Sequence, residues 1–191
     1  MPRRANPPSY PQCVWPVATS AALLFVALSI AACTSLSRSG SSDGTASATI
    51  ASVPPAAPVA PYLGSPEASV RSYLDWTTYA YRIMNSDVAT RTMSAEEEVR
   101  VNSYLEKNRQ DGVYLDQALE SFNAGRVVST GETRALVPAR EVWSYRYVSI
   151  SKGTASPFYS ATYDATYAVI AKAPGTWIVD SVQVKAMGEV R

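Results

Sequence analysis

Tyr159-Ser160-Ala161-Thr162-Tyr163-Asp164-Ala165-Thr166-Tyr167-Ala168-Val169-Ile170-Ala171 is the stretch that decides the architecture. Its odd positions are small, aromatic or aliphatic. They alternate with Ser160, Thr162, Asp164 and Thr166. Alternation of this length marks an antiparallel strand with one face on a core and the other on water. Downstream, Ala173-Pro174-Gly175 makes a tight turn, and a last strand runs from Trp177 to about Lys185. Its inward set switches from Trp177 and Val179 to Val182 and Val184, which predicts a bulge near Asp180-Ser181. Upstream, Lys152-Gly153-Thr154 is a turn that follows a third alternating segment. There Ala135, Val137, Ala139, Glu141, Trp143, Tyr145 and Tyr147 share one face. Arg134, Arg140, Ser144 and Arg146 take the other. Thr130-Gly131-Glu132 is another turn. Segment 118–129 is a weaker strand, interrupted at Asn123-Ala124-Gly125.

Helices precede these strands. Ser65-Pro66-Glu67 combines a capping serine, a proline at the first helical position and an acid in the first turn. Val70, Tyr73, Leu74, Thr77, Ala80, Tyr81 and Met84 then recur at helical spacing, which predicts a helix over 66–84. Ser94 and Glu97 form a capping-box pattern ahead of a second helix at about 96–110. Its stripe is Val101, Tyr104 and Leu105, and Asp111-Gly112 ends it. Its charge-laced remainder places it on the surface. Helices followed by a meander of about four strands give an α+β class. The helices are expected to pack across one curved antiparallel sheet, as in the cone folds called nuclear-transport-factor-2-like and cystatin-like.

Leu105 to Val184 resembles a known family, the intermembrane-space-type domain at the end of the chloroplast division protein of the accumulation-and-replication class. The matching residues are Gly112-Val113-Tyr114-Leu115 after a helix, Thr133-Arg134-Ala135-Leu136-Val137, the following Glu141, Tyr163 with Tyr167, and Gly175-Thr176-Trp177-Ile178-Val179. The likeness spans some 80–120 residues and implies the cone fold and a non-catalytic binding role. It carries over no partner. That division protein holds its domain behind a transmembrane helix, and this chain departs from it there.

Residues 1–16 carry Arg3 and Arg4 and no acid, and residues 17–32 are nearly all apolar or small. A basic start, an apolar run and small residues before a cut define a secretory signal. The run is shorter than the roughly 20 apolar residues of a spanning helix. It ends Ile30-Ala31-Ala32-Cys33, which is similar to a bacterial lipobox. The expected domains are a lipoprotein signal peptide over 1–32, a lipidated Cys33 with a disordered Ser/Ala/Pro linker over 33–63, and the α+β domain over 64–188. The linker holds Pro54-Pro55, Pro58 and Pro61 with no amphipathic period, and buries too little to offset the entropy of ordering it. A coil of about 30 residues spans on the order of 30 Å. Removing residues 1–32 takes the net charge from +1 to near −1. Neither value argues for nucleic acid.

The 191-residue chain has no histidine and two cysteines, Cys13 and Cys33. Without histidine there is no Ser-His-Asp triad and no Cys-His pair. No glycine-rich phosphate loop and no zinc-ligand cluster is present. Neither a cofactor nor a metal is expected, nor is an enzyme. Glu96-Glu97-Glu98 is expected to be a solvated charge run at a helix start, and Asp164 and Asp180 are expected to face water. Glu141 does not fit its apolar row. A buried carboxylate is paired or has its pKa raised, so Glu141 is a pocket acid, a structural partner of an arginine, or a residue placed where the strand leaves the core. Trp76, Trp143, Tyr145, Tyr163, Tyr167 and Trp177 either line a pocket at the mouth of the cone or fill the core. Arg134, Arg140 and Arg146 form a candidate partner face.

These features point to an extracytoplasmic lipoprotein anchored to the bacterial cell membrane. Its domain binds and scaffolds another envelope protein. Two other readings stay open. One is a small-molecule binder or weak enzyme using the cone cavity through Glu141. The other is an accessory component of a secretion or conjugation apparatus.

Overall fold

The computed structural model describes residues 55–190. The signal peptide, Cys33 and the linker through Pro54 lie outside the described residues. In chain order the elements are α1 (Pro66–Ile83), a 3-10 helix (Asp87–Thr92), α2 (Ala95–Gln110), β1 (Val113–Ala124), β2 (Val128–Ser129), β3 (Arg134–Ser149), β4 (Tyr159–Ala173) and β5 (Thr176–Val190). The strands form one antiparallel sheet in the order β1-β3-β4-β5, with β2 pairing β3. Helices come first and the curved sheet after them, the α+β cone arrangement expected from the sequence.

α1 begins where its capping signals lie. The Ser65 hydroxyl accepts from the Ala68 N–H at 3.3 Å, and Pro66 occupies the first turn. Val70, Tyr73, Leu74, Thr77 and Ala80 form its buried stripe. The buried Thr77 hydroxyl is satisfied by the Tyr73 carbonyl at 2.7 Å. The helix stops at Met84, whose left-handed backbone (φ 58°) turns its N–H back to the Ala80 carbonyl. Hydrogen bonding of the domain starts ahead of this helix. Tyr62 N–H donates to Ser72 Oγ at 2.9 Å, and Ser72 Oγ donates to the Tyr62 carbonyl at 3.1 Å. The Leu63 carbonyl accepts from Trp177 N–H at 2.8 Å, joining this strap to the start of β5.

The inner face of the sheet carries the odd positions of β3 and β4. Ala135, Val137, Ala139, Ala165, Tyr167 and Val169 are all buried against the helices. Burying one such aliphatic side chain contributes about 1.5–3 kcal/mol. β1 starts at Val113, earlier than the 118 expected, and runs to Ala124. Leu119 pairs with Trp143 but Ser121 pairs with Val142, so Glu120 is an extra residue in β1. That bulge shifts the inward set from Leu115 and Leu119 to Phe122, which breaks the period of two that a sequence scan looks for.

The bulge expected near Asp180-Ser181 is present. Ala168 pairs with Ser181 and Val169 with Val179, leaving Asp180 between them. β5 continues past Lys185 to Val190, and Val184, which pairs with buried Ala165 on the inward side as expected, is still 36% exposed. The bulge anchors α2. Ser94 N–H donates to the Val179 carbonyl at 2.8 Å, and the Ser94 hydroxyl reaches the Asp180 carbonyl at 3.3 Å. The same hydroxyl caps the helix by accepting from Glu97 N–H. One side chain therefore serves both the cap and the seam between α2 and β5. Ser94→Ala should lower stability by about 1–2 kcal/mol, read from urea unfolding followed by circular dichroism. A change under about 0.3 kcal/mol would show that the backbone bond to Val179 alone holds the seam.

Candidate functional site: a buried carboxylate network

Alternation along β3 turns Glu141 inward between Ala139 and Trp143, where it is 3% exposed. Its cross-strand neighbours are Phe122 on β1 and Tyr163 on β4. No arginine among the described residues pairs with it. Trp143 Nε1–H donates to Oε2 at 2.8 Å, and the Tyr167 hydroxyl donates to Oε1 in a short hydrogen bond. Burial raises the Glu141 pKa above its ordinary value, and the two donors only partly oppose that. Tyr167 is held up more strongly still, by burial first and then by Glu141. Its hydroxyl therefore stays a proton donor at all ordinary pH.

The network continues through packing. The Tyr167 ring meets Tyr73 of α1 edge to face, with centroids 6.1 Å apart. Tyr73 Oη–H donates to Glu97 Oε1 at 2.7 Å. Arg100 Nη1 reaches the other oxygen of Glu97 at 2.6 Å. Glu97 is 4% exposed, unlike its neighbours Glu96 and Glu98, so the expectation of a wholly solvated acidic run is corrected at this residue. Burial raises its pKa against the pull of Tyr73 and Arg100. The capping box forms only by half, because Glu97 turns to Tyr73 while the Ser94 N–H goes to Val179. A signal for this burial was in the sequence. Glu97 shares the i, i+4 stripe of Val101 and Leu105, which points into the core.

The candidate pocket residues separate in the structure. Glu141, Trp143 and Tyr167 meet in one network, and half-buried Tyr163 flanks it. Tyr145 lies elsewhere on the inner face, stacked on Tyr159 with centroids 5.5 Å apart and edge-on to Tyr147. Trp76 stands on α1 against Tyr79. Its buried indole N–H has no hydrogen-bond partner among the described residues. Trp177 packs half-buried against the core. Two principal hollows open on the described surface. One of about 610 Å³ lies over β3, β4 and β5 at Arg140, Asp164 and Lys185. The other, about 220 Å³, lies between the strap and α1 at Tyr62, Asp75 and Trp76. Neither is lined by Glu141, Trp143, Tyr163 or Tyr167.

The three arginines also part company. Arg134 is exposed at the start of β3, and Arg140 pairs with Asp164 at 3.3 Å while both side chains stay about half exposed, so that acid faces water as expected. Arg146 does not stand free on the outer face. It clamps Asp116 through Nε and Nη2, each at 2.8 Å, and covers the Phe158 ring at 4.4 Å. Arg82 of α1 adds a second contact to Asp116 at 3.5 Å. Asp116 was hidden by the misplaced start of β1. Among the described residues there is no group of three or more potential metal ligands, and no helix is long and apolar enough to cross a membrane.

Together these features define a small α+β cone domain with a hydrogen-bonded carboxylate at its centre. The intermembrane-space region of the chloroplast protein ARC6 superposes on it with a TM-score of 0.52 at 19% identity, over 63% of this chain and 93% of that one. This shows a shared fold, in line with the resemblance carried by the motifs. A periplasmic fragment of TraM matches with a TM-score of 0.44 and 13% identity, over 63% and 94% of the two chains. A ketosteroid isomerase-like protein from Erwinia carotovora atroseptica matches at 0.40 and 16%, over 64% and 93%. No family model matches the chain, and no curated protein does.

The raised carboxyl pKa values of Glu141 and Glu97 set the sign of a pH dependence. A group that binds its proton more tightly in the folded state stabilises the fold below its unfolded pKa, and that stability is lost as pH rises through the folded pKa. Unfolding free energy should therefore fall as pH rises above the ordinary glutamate pKa of about 4.3. Glu141→Gln, which keeps a neutral acceptor for Trp143 and Tyr167, should flatten part of that slope. Glu141→Ala strands both donors and should cost about 2–4 kcal/mol at every pH. Urea titrations across this pH range on the three proteins check all three statements.

Proposed function

We propose that the domain is a non-catalytic binding module that docks another envelope protein, held outside a bacterial cell membrane by lipid on Cys33. The observation supporting it is the state of Glu141. The one acid on the inner face of β3 is 3% exposed and already bonded to Trp143 and Tyr167. A general base must come within hydrogen-bond reach of a substrate proton, and Glu141 is sealed off from any such approach. What the domain offers a partner is surface. Fold likeness to a region from an intermembrane space is compatible with an exported domain, and the Cys33 lipobox supports the anchor.

The test uses the full chain in its membrane. Cys33→Ser should abolish labelling by a fatty-acid analogue and release the protein from the membrane fraction. A photo-crosslinking residue is then placed at Thr166 on the sheet or at Glu98 on α2. One of the two should yield a discrete adduct with a single envelope protein, identified by mass spectrometry. Absence of any adduct at either position, with a small molecule co-purifying instead, would overturn the binding-module reading. Lipid labelling that survives Cys33→Ser would overturn the anchor.

A further inference from the structure

We infer that the outer face of the sheet, turned away from the helices, is the docking surface, and that its partner is an extended segment with acidic ends and an uncharged middle. This rests on the binding-module reading above and specifies its face and chemistry.

The strand register lays out that face row by row. At one end Arg140, Asp164 and Lys185 stand side by side across β3, β4 and β5. Two residues further along, the row is Pro138, Thr166 and Gln183, with no charge. The next is Val128, Leu136, Ala168 and Ser181, where Val128 is 50% exposed. Arg134, Ile170 and buried Ile178 then close the far end, with exposed Lys172 just beyond. Between the two cationic ends lie short or uncharged side chains, and the hollow of about 610 Å³ sits over the Arg140 end of this floor. Arg134 and Arg140 are six residues apart, or about 20 Å along the strand. An apolar and hydroxyl floor between charged ends is the layout of a docking patch with a polar rim.

Charge chooses the occupant. Arg134, Lys172 and Lys185 are exposed and form no ion pair among the described residues, and Arg140 is shared with Asp164. Glu132 lies just before β3 and Asp180 in the β5 bulge, and Arg140 with Lys185 outweighs Asp164 at one end as Arg134 with Lys172 outweighs Glu132 at the other, so each end keeps a positive charge. A second copy meeting this face through a twofold axis would set the same cations against one another. An acidic extended segment instead meets both ends at once and hydrogen-bonds through Thr166 and Gln183.

The experiment uses full chain in detergent and two fluorescein-labelled heptapeptides, Glu-Val-Thr-Val-Thr-Val-Glu and its counterpart with lysine at both ends. By fluorescence anisotropy the acidic peptide should bind, should weaken steeply with salt, and should lose at least about tenfold in affinity with Arg140→Glu plus Lys185→Glu. Arg91→Glu plus Lys152→Glu, an equal charge change at exposed sites on the 3-10 helix and the β3–β4 connection, should leave binding unchanged. The inference is overturned if both peptides bind alike, if neither binds, or if the double variant binds normally. It is equally overturned if phosphatidylglycerol vesicles bind through Arg140 and Lys185 and the peptide does not. Concentration-dependent dimerisation that Arg140→Glu abolishes would assign the face to a second copy instead. A crosslink at Glu98 without one at Thr166 would sink the inference while leaving the binding-module reading intact.

Discussion

A carboxylate buried without a cation is the constraint around which the interior is arranged. Taking Glu141 out of water is costly, and the cost falls only if its oxygens keep hydrogen bonds. Trp143 supplies one from the same face of the same strand, two residues on. Tyr167 supplies the other from β4, which requires the β3–β4 register observed. Tyr167 then needs a ring partner, and Tyr73 of α1 provides it. Tyr73 in turn places its hydroxyl on Glu97 of α2. Four elements are thereby oriented by one chain of contacts. A buried polar network that is fully satisfied favours one arrangement of a core over its near alternatives, because any slip of one strand strands a donor.

The two faces of the sheet have opposite characters, and a single alternation produces both. The residues that point in are small, aromatic or aliphatic and meet the helices. Those that point out carry Arg134, Arg140, Asp164 and Lys185 among hydroxyls and short apolar side chains. The seams of the fold lie at its irregularities. The bulge at Asp180 receives the start of α2 through Ser94, and the strap at Tyr62 and Leu63 bonds to α1 and to the first residues of β5. Bulges re-aim a strand and expose carbonyls to new donors, which is why these joints form there.

How much of this was legible depends on distance along the chain. The helix starts at Ser65 and Ser94 are local events, made by a hydroxyl and the N–H three residues on, and both stood out in the sequence. So did the β3 and β4 strands and the bulge in β5, where the switch from Trp177 and Val179 to Val182 is a phase change visible in one strand. β1 was misread because Glu120 breaks its phase and Asn123-Ala124-Gly125 mimics a turn. Glu141 was singled out as anomalous, yet its partners were not identified. A tyrosine four positions away diagonally across a hairpin leaves no mark in sequence spacing. Arg146 looked free because Asp116, its partner, lies thirty residues earlier in the strand that was misplaced.

By itself the sequence determined the α+β class, the order of the helices and long strands, and which side of β3 and β4 faces the core. These follow from periodicity, capping and local chemistry, all of which act over a few residues. Only the tertiary structure decided that Glu141 is bonded to Trp143 and Tyr167, that Glu97 is buried against Tyr73, and that Arg146 is held by Asp116. It also decided that Arg140 of β3 and Lys185 of β5 stand on either side of Asp164 across the outer face. Those facts depend on register and on helix placement, where residues far apart in the chain come within bonding distance.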